Sequence, residues 1–246
     1  MFPLKDNIPT HHFPVVTAIL IALNVLAYFF FQHGTISLGD PSNQAFLQNL
    51  YDYAYIPCEL TGEGACEVPQ GEGADWLTVF TAMFMHGGLL HLGGNMLFLW
   101  IFGNNVEDSM GPVKFIVFYL LAGVAATALQ TAINPDSAVP NIGASGAVAG
   151  VLGGYLLLFP RARVVTVVFI IIFFTILELP AMLFLVIWFA QQALFGYFGL
   201  TDGTGDGGGV AYFAHIGGFA FGLLAIKLFA SEERRRRQIE RVGAVT

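Results

Sequence analysis

Six long apolar runs dominate the 246-residue chain and leave it few possible architectures. They cover about residues 14–31, 83–102, 113–133, 144–159, 179–197 and 211–228. A helix needs roughly 20 apolar residues to cross a bilayer. Inside lipid, only a helix or a closed barrel satisfies its own backbone. Each run is bounded by Gly, Pro, Asn or charge. Only 11% of residues are charged, where a soluble domain of this size carries about 25%. These features predict an all-α, multi-pass integral membrane domain, a bundle of six transmembrane helices over residues 14–229. A short N-terminus, residues 1–13, precedes it, and a basic tail, residues 230–246, follows. The first run has no small-residue cleavage site behind it, so it is expected to be a retained span. The fourth is short and rich in Gly and Ala, which suits a helix shielded by its neighbours.

Residues 164–177 are ambiguous, because with 179–199 they are long enough for two spans. Glu178 and Pro180 interrupt them. We assign 164–177 to an interfacial or re-entrant segment. Charge decides for six spans over seven. With a cytoplasmic N-terminus, Lys5, Lys114, Arg161, Arg163, Lys227, Arg234, Arg235, Arg236, Arg237 and Arg241 all fall on the cytoplasmic side. That is every Lys and Arg in the chain, and positive residues near span ends favour the cytoplasm. A seventh span would export the arginine cluster. The expected setting is a bacterial inner membrane with both termini cytoplasmic.

The outer loops then hold no basic residue. The longest, residues 33–75, carries Asp40, Asp52, Glu59, Glu63, Glu67, Glu72 and Asp75. Residues 203–209 are almost all Gly and Asp, a flexible composition. The net charge of −7 and the lack of a basic stripe with interleaved aromatics exclude nucleic acid as a partner. The tail from Glu232 to Arg241 reads as a solvated anchor against anionic lipid.

Polar residues inside spans are costly and mark function. His91 and Asn95 lie four apart, on one helical face. Ser145 opens the fourth run within Gly143-Ala144-Ser145-Gly146. His215 lies near the start of the sixth, in Ala214-His215-Ile216-Gly217-Gly218. The second, fourth and sixth spans run outside to inside, so His91, Ser145 and His215 share one level in the outer half. A serine hydroxyl is a weak nucleophile until a base takes its proton. His215 can be that base, and His91 and Asn95 can donate to an oxyanion. Gly146, Gly150 and Gly154 in one run, and Ala214, Gly218 and Gly222 in the other, allow close helix approach. His86 is expected to support by hydrogen bonding. No buried acid accompanies the pair, and Glu107 and Asp108 read as helix-end hydrogen bonders. No metal site or cofactor is expected: His91 lacks an acidic or Cys partner at its level.

This constellation resembles the rhomboid intramembrane proteases in their six-span bacterial form, over about residues 13–229. The GxSG match implies Ser145 as nucleophile, the final-span motif implies His215 as base, and HxxxN implies that His91 and Asn95 stabilise the oxyanion with the Ser145 backbone N–H. Val106-Glu107 resembles the family's structural Glu. Two positions depart: Leu77 follows Trp76 where the family often has Arg, and Ala149 stands where an aromatic ring commonly stacks on the base. The resemblance implies hydrolysis of a peptide bond in or beside a transmembrane segment of protein substrates, with no oligomer needed for the chemistry. The alternatives are a catalytically silent membrane-protein binder or chaperone of this fold and, less compatible with polar groups confined to one half, a transporter or channel. Cys58 and Cys66, the only cysteines, fall in the outer loop with Gly62 and Gly64 between them. An oxidising compartment would let them pair, with two free thiols as the alternative.

Overall fold

A computed structural model of the chain describes residues 1–36, 44–62, 66, 76–170, 173–201 and 210–245. The acidic positions Asp40, Glu63, Glu67, Glu72 and Asp75, and the 203–209 loop, lie outside them. In chain order the elements are β1 (Phe2–Asp6), α1 (Val15–Leu26), α2 (Gln44–Tyr53), α3 (Pro57–Thr61), α4 (Thr78–Thr81), α5 (Leu89–Phe98), α6 (Asn104–Met110), α7 (Pro112–Ile133), α8 (Ser145–Leu158), β2 (Arg163–Ile170), β3 (Phe173–Pro180), α9 (Ala181–Thr201), α10 (Tyr212–Phe229) and α11 (Glu232–Val245). Among the described residues, three helices are long and apolar enough to cross a membrane: Pro112–Ile133, Ala181–Leu200 and Tyr212–Phe229. Val15–Phe31 and Ser145–Leu158 are shorter apolar helices.

The second run departs from its expected bounds. Met83 sits in a 3-10 turn, Ala82–Phe84, and the α-helix starts only at Leu89. A π-helical turn, Leu99–Gly103, joins α5 to α6. The extended stretch before Leu89 is held by Gln32. The backbone N–H of His86 donates to Gln32 Oε1 (2.8 Å), and Gln32 Nε2 donates to the His86 carbonyl (3.2 Å).

The all-α expectation is also corrected. The interfacial or re-entrant segment is a β-hairpin, and with the N-terminus it makes a three-stranded antiparallel sheet in the order β1-β2-β3. The run Val164-Val165-Thr166-Val167-Val168 is β-branched throughout, which favours a strand. Val164 and Thr166 are buried, whereas Phe169, Phe173 and Phe174 are exposed.

α8 is the central helix. It is buried along most of its length and packs against α7 and α10. Glycines make this possible: a Cβ on Gly218 would overlap the carbonyl oxygen of Gly146, and one on Gly222 would overlap that of Gly150. Apolar layers of Phe102, Phe118, Tyr119, Phe184 and Phe219 fill the remaining core.

Both chain ends dock on the sheet end of the bundle. The Glu107 carboxylate accepts from the N–H groups of Val16 (2.9 Å) and Thr17 (2.8 Å) and from the Thr17 hydroxyl (2.8 Å). It thereby caps the first turn of α1, where four N–H groups lack helical partners. Asp108 accepts from His11 N–H (2.7 Å) and meets His12 Nδ1 (2.8 Å). Asp6 receives Asn105 Nδ2 (2.6 Å) and the Tyr155 hydroxyl (2.5 Å). In the tail, Gln238 Nε2 donates to the Asn105 carbonyl (3.2 Å).

Candidate active site

Ser145 is the first residue of α8, preceded by Gly143 at φ +115°. That left-handed backbone favours glycine, and space demands it as well: a Cβ there would lie 2.7 Å from His91 Nε2 and 3.5 Å from Asn95 Nδ2. Gly143 thus seats the His91 and Asn95 side chains beside the start of α8. The loop ahead of it is pinned at three points. Tyr55 and Asn141 exchange backbone hydrogen bonds (3.1 and 2.8 Å), and Gly143 N–H donates to the Ala82 carbonyl (2.8 Å). Cys58 donates its N–H to the Ser137 carbonyl (3.0 Å) and is joined to Cys66 by a disulfide, with the Cα atoms 5.6 Å apart.

Ser145 Oγ lies 2.7 Å from His215 Nε2. The other ring nitrogen, Nδ1, lies 2.8 Å from Gln192 Oε1 on α9. Trp188, one turn earlier on α9, faces the same imidazole with ring centroids 5.9 Å apart. Two side chains of α9 thus hold the imidazole. Sequence reasoning missed both. The available signal was a glutamine inside an apolar run, four residues after a tryptophan.

His91 Nδ1 accepts the Gly87 N–H (3.3 Å). A neutral imidazole carries one N–H, so that of His91 sits on Nε2, the atom beside Gly143. Asn95 Nδ2 is buried and has no partner among the described residues. Both donors border the same cavity, of about 430 Å³, as Ser145 and His215. Its apolar wall includes Phe98, Val148, Leu152 and Trp188. A second cavity of about 280 Å³ meets it at His91, Ile142 and Ala211 and is lined by polar groups of Gln130, Asn134 and Ser137. His86 is fully buried, its ring edge-on to His91 at 5.1 Å. Neither of its ring nitrogens has a partner among the described residues, so it meets His91 by ring packing. Gly146 and Gly218 bring α8 and α10 together below the pair. No cluster of potential metal ligands occurs among the described residues.

A helix-borne serine thus lies against an imidazole, with donors beside one cavity inside a helical bundle. Residues 73–232, well over half of the chain, match the Rhomboid domain family model, and the chain belongs to that family of integral membrane proteins. Its members are generally intramembrane serine proteases, and some are inactive. The chain is 32% identical over 146 residues to Rhomboid protease GluP of Bacillus subtilis, covering 58% of this chain and 24% of that one. It is 31% identical over 179 residues to Rhomboid protein 1, mitochondrial, of Saccharomyces cerevisiae, covering 68% and 46%. It is 41% identical over 75 residues to Rhomboid-like protein 11, chloroplastic, of Arabidopsis thaliana, covering 30% and 26%. The chain thus spans less than half the length of each of these relatives.

Proposed function

We propose that the chain is an intramembrane serine endopeptidase that cleaves a peptide bond in or beside a transmembrane segment. The observation that carries this is the 2.7 Å approach of Ser145 Oγ to His215 Nε2 at a cavity bordered by two unspent donors. Ser145 attacks the scissile carbonyl while His215 Nε2 takes its proton. The oxyanion receives His91 Nε2–H, Asn95 Nδ2–H and the Ser145 backbone N–H, which has no helical acceptor at the first position of α8. His215 then gives the proton to the leaving amine. Water, for which the polar second cavity offers a path, repeats the cycle and frees the acyl group. A helical substrate shields its carbonyls, so it must unwind locally to reach Ser145. The resemblance favours small side chains at the cut.

The chain would cross the membrane six times, with both termini cytoplasmic, the site near the outer face and the arginine-rich α11 against anionic lipid. A bacterial inner membrane fits this arrangement. Epitope tags at either end should be cytoplasmic and one within 203–209 external.

Co-expression with a panel of single-span reporter proteins tests the activity. Cleavage should appear with the wild type and vanish with Ser145→Ala. An active-serine fluorophosphonate should label the wild type alone. Neither cleavage nor labelling would leave the silent binder as the better reading.

A further inference from the structure

A base in a serine hydrolase must be held with its lone pair toward the hydroxyl. In the usual triad a carboxylate does this. No carboxylate lines this cavity among the described residues. We propose that Gln192 is a positioning residue that fixes His215 with Nδ1 protonated and Nε2 bare, so that α9 orients a base carried by α10. This rests on the reading of Ser145 and His215 as a catalytic pair.

The chemistry follows from donor and acceptor capacity. Gln192 presents its amide oxygen, which can only accept, at 2.8 Å from Nδ1. Nδ1 must therefore carry the single proton of the neutral ring. Nε2 then has a lone pair directed at Ser145 Oγ, 2.7 Å away. If the amide were turned over, its NH2 would donate to Nδ1 and force the proton onto Nε2. The imidazole would then donate to the serine oxygen and could not take its proton. Trp188 lies one turn from Gln192 on the same face of α9 and bounds the ring. The two side chains thus restrict both the tilt and the tautomer of His215.

An amide also differs from a carboxylate in leaving the base uncharged. The groups facing His215 are Ser145 from α8, Trp188 and Gln192 from α9, and across the cavity His91 from α5, with His86 behind it. Among these described residues none carries a negative charge. A carboxylate at position 192 would favour the imidazolium and move the acid limb of activity to higher pH.

Two variants and one spectrum test this. Gln192→Met keeps the volume and loses the acceptor. Its kcat should fall about tenfold to a hundredfold with KM little changed. Gln192→Glu keeps an acceptor and should retain most of kcat, with the acid limb shifted upward. A purely structural glutamine would give lower thermal midpoints in both variants and an unmoved pH profile. An unchanged kcat in Gln192→Met, or a Gln192→Glu profile superimposable on wild type, would overturn the proposal. Should the variants fail to fold, imidazole ¹⁵N shifts of the wild-type protein in micelles decide the same point. Nδ1 protonated and Nε2 bare are expected, and the opposite tautomer would overturn it. A wild type no more active than Ser145→Ala would instead sink the protease reading, and the spectrum would still settle the tautomer.

Discussion

Gly218 of α10 rests directly on the backbone carbonyl of Gly146 in α8, with no room for a Cβ between them. Gly146 follows Ser145 in the chain, and Gly218 is one turn beyond His215. The 2.7 Å contact between hydroxyl and imidazole is therefore set by the approach of two backbones. Small residues in lipid make such an approach possible without a hydrophobic driving force between helices.

Gly218→Ala should accordingly injure catalysis from outside the reacting groups. The new methyl meets backbone, which cannot rotate away, so α10 must shift. A misplacement of about 1 Å can cost on the order of a hundredfold in rate. Gly93→Ala is the matched control, because nothing lies within 4 Å of a Cβ there. Reporter cleavage rates for the two variants check this. Equal rates would mean that α8 and α10 can separate without harm.

The oxyanion assignment predicts a split between binding and turnover. Asn95→Ala and His91→Ala should each lower kcat by about a hundredfold to a thousandfold, with KM nearly unchanged. A change confined to KM would make both residues binding or packing groups. His91 also carries an internal check. Its Nδ1 is engaged by Gly87 N–H, so His91→Gln, which can still present a donor, should recover part of the loss.

The apolar runs pointed to a helical membrane protein, and the GxSG, HxxxN and final-span motifs singled out Ser145, His215, His91 and Asn95, which the fold brings to one cavity. Each rests on local pattern: run length, helical spacing, and polar groups where lipid penalises them. What was missed is non-local. The hairpin of β2 and β3 is as apolar as a span, and its β-branched run was outweighed by that hydropathy; its strands pair with each other and with Phe2–Asp6, far away in sequence. Gln192 becomes meaningful only once α9 is laid beside α10. The same holds for Gln32, which clamps the His86 backbone, and for Asp6, which finds Tyr155 at the end of α8.

Asp6 predicts a pH dependence of stability. Burial lifts its carboxyl from the ordinary 3.8 to about 7, and the Tyr155 hydrogen bond only partly opposes this. The folded state then holds a proton that the unfolded chain has released between these two values. Stability attributable to Asp6 is complete below about 4 and is lost as pH rises through about 7. Asp6→Asn removes the titration while keeping an acceptor for Tyr155. Its thermal midpoint should exceed that of wild type above pH 7, and the difference should shrink toward pH 4. Parallel curves across this range would show that Asp6 ionises freely in the fold.

The Cys58–Cys66 bridge should matter for stability more than for turnover. Cys58 is fully buried, and its N–H holds the Ser137 carbonyl (3.0 Å) in the loop that leads to Gly143 and Ser145. The bond therefore braces the loop ahead of the site without touching the reacting groups. Closing a loop this small stabilises by up to about 2–3 kcal/mol, chiefly by restricting the unfolded chain. Cys66→Ser should lower the thermal midpoint, and reductant should lower that of wild type but not of the variant. The Tyr55–Asn141 backbone pair persists in either case, so cleavage by the variant at a temperature well below its midpoint should stay within a few-fold of wild type. Thiol alkylation before and after reduction gives the direct check on protein purified without reductant. Both cysteines should label only after reduction, and full labelling beforehand would show that this loop holds by its hydrogen bonds alone.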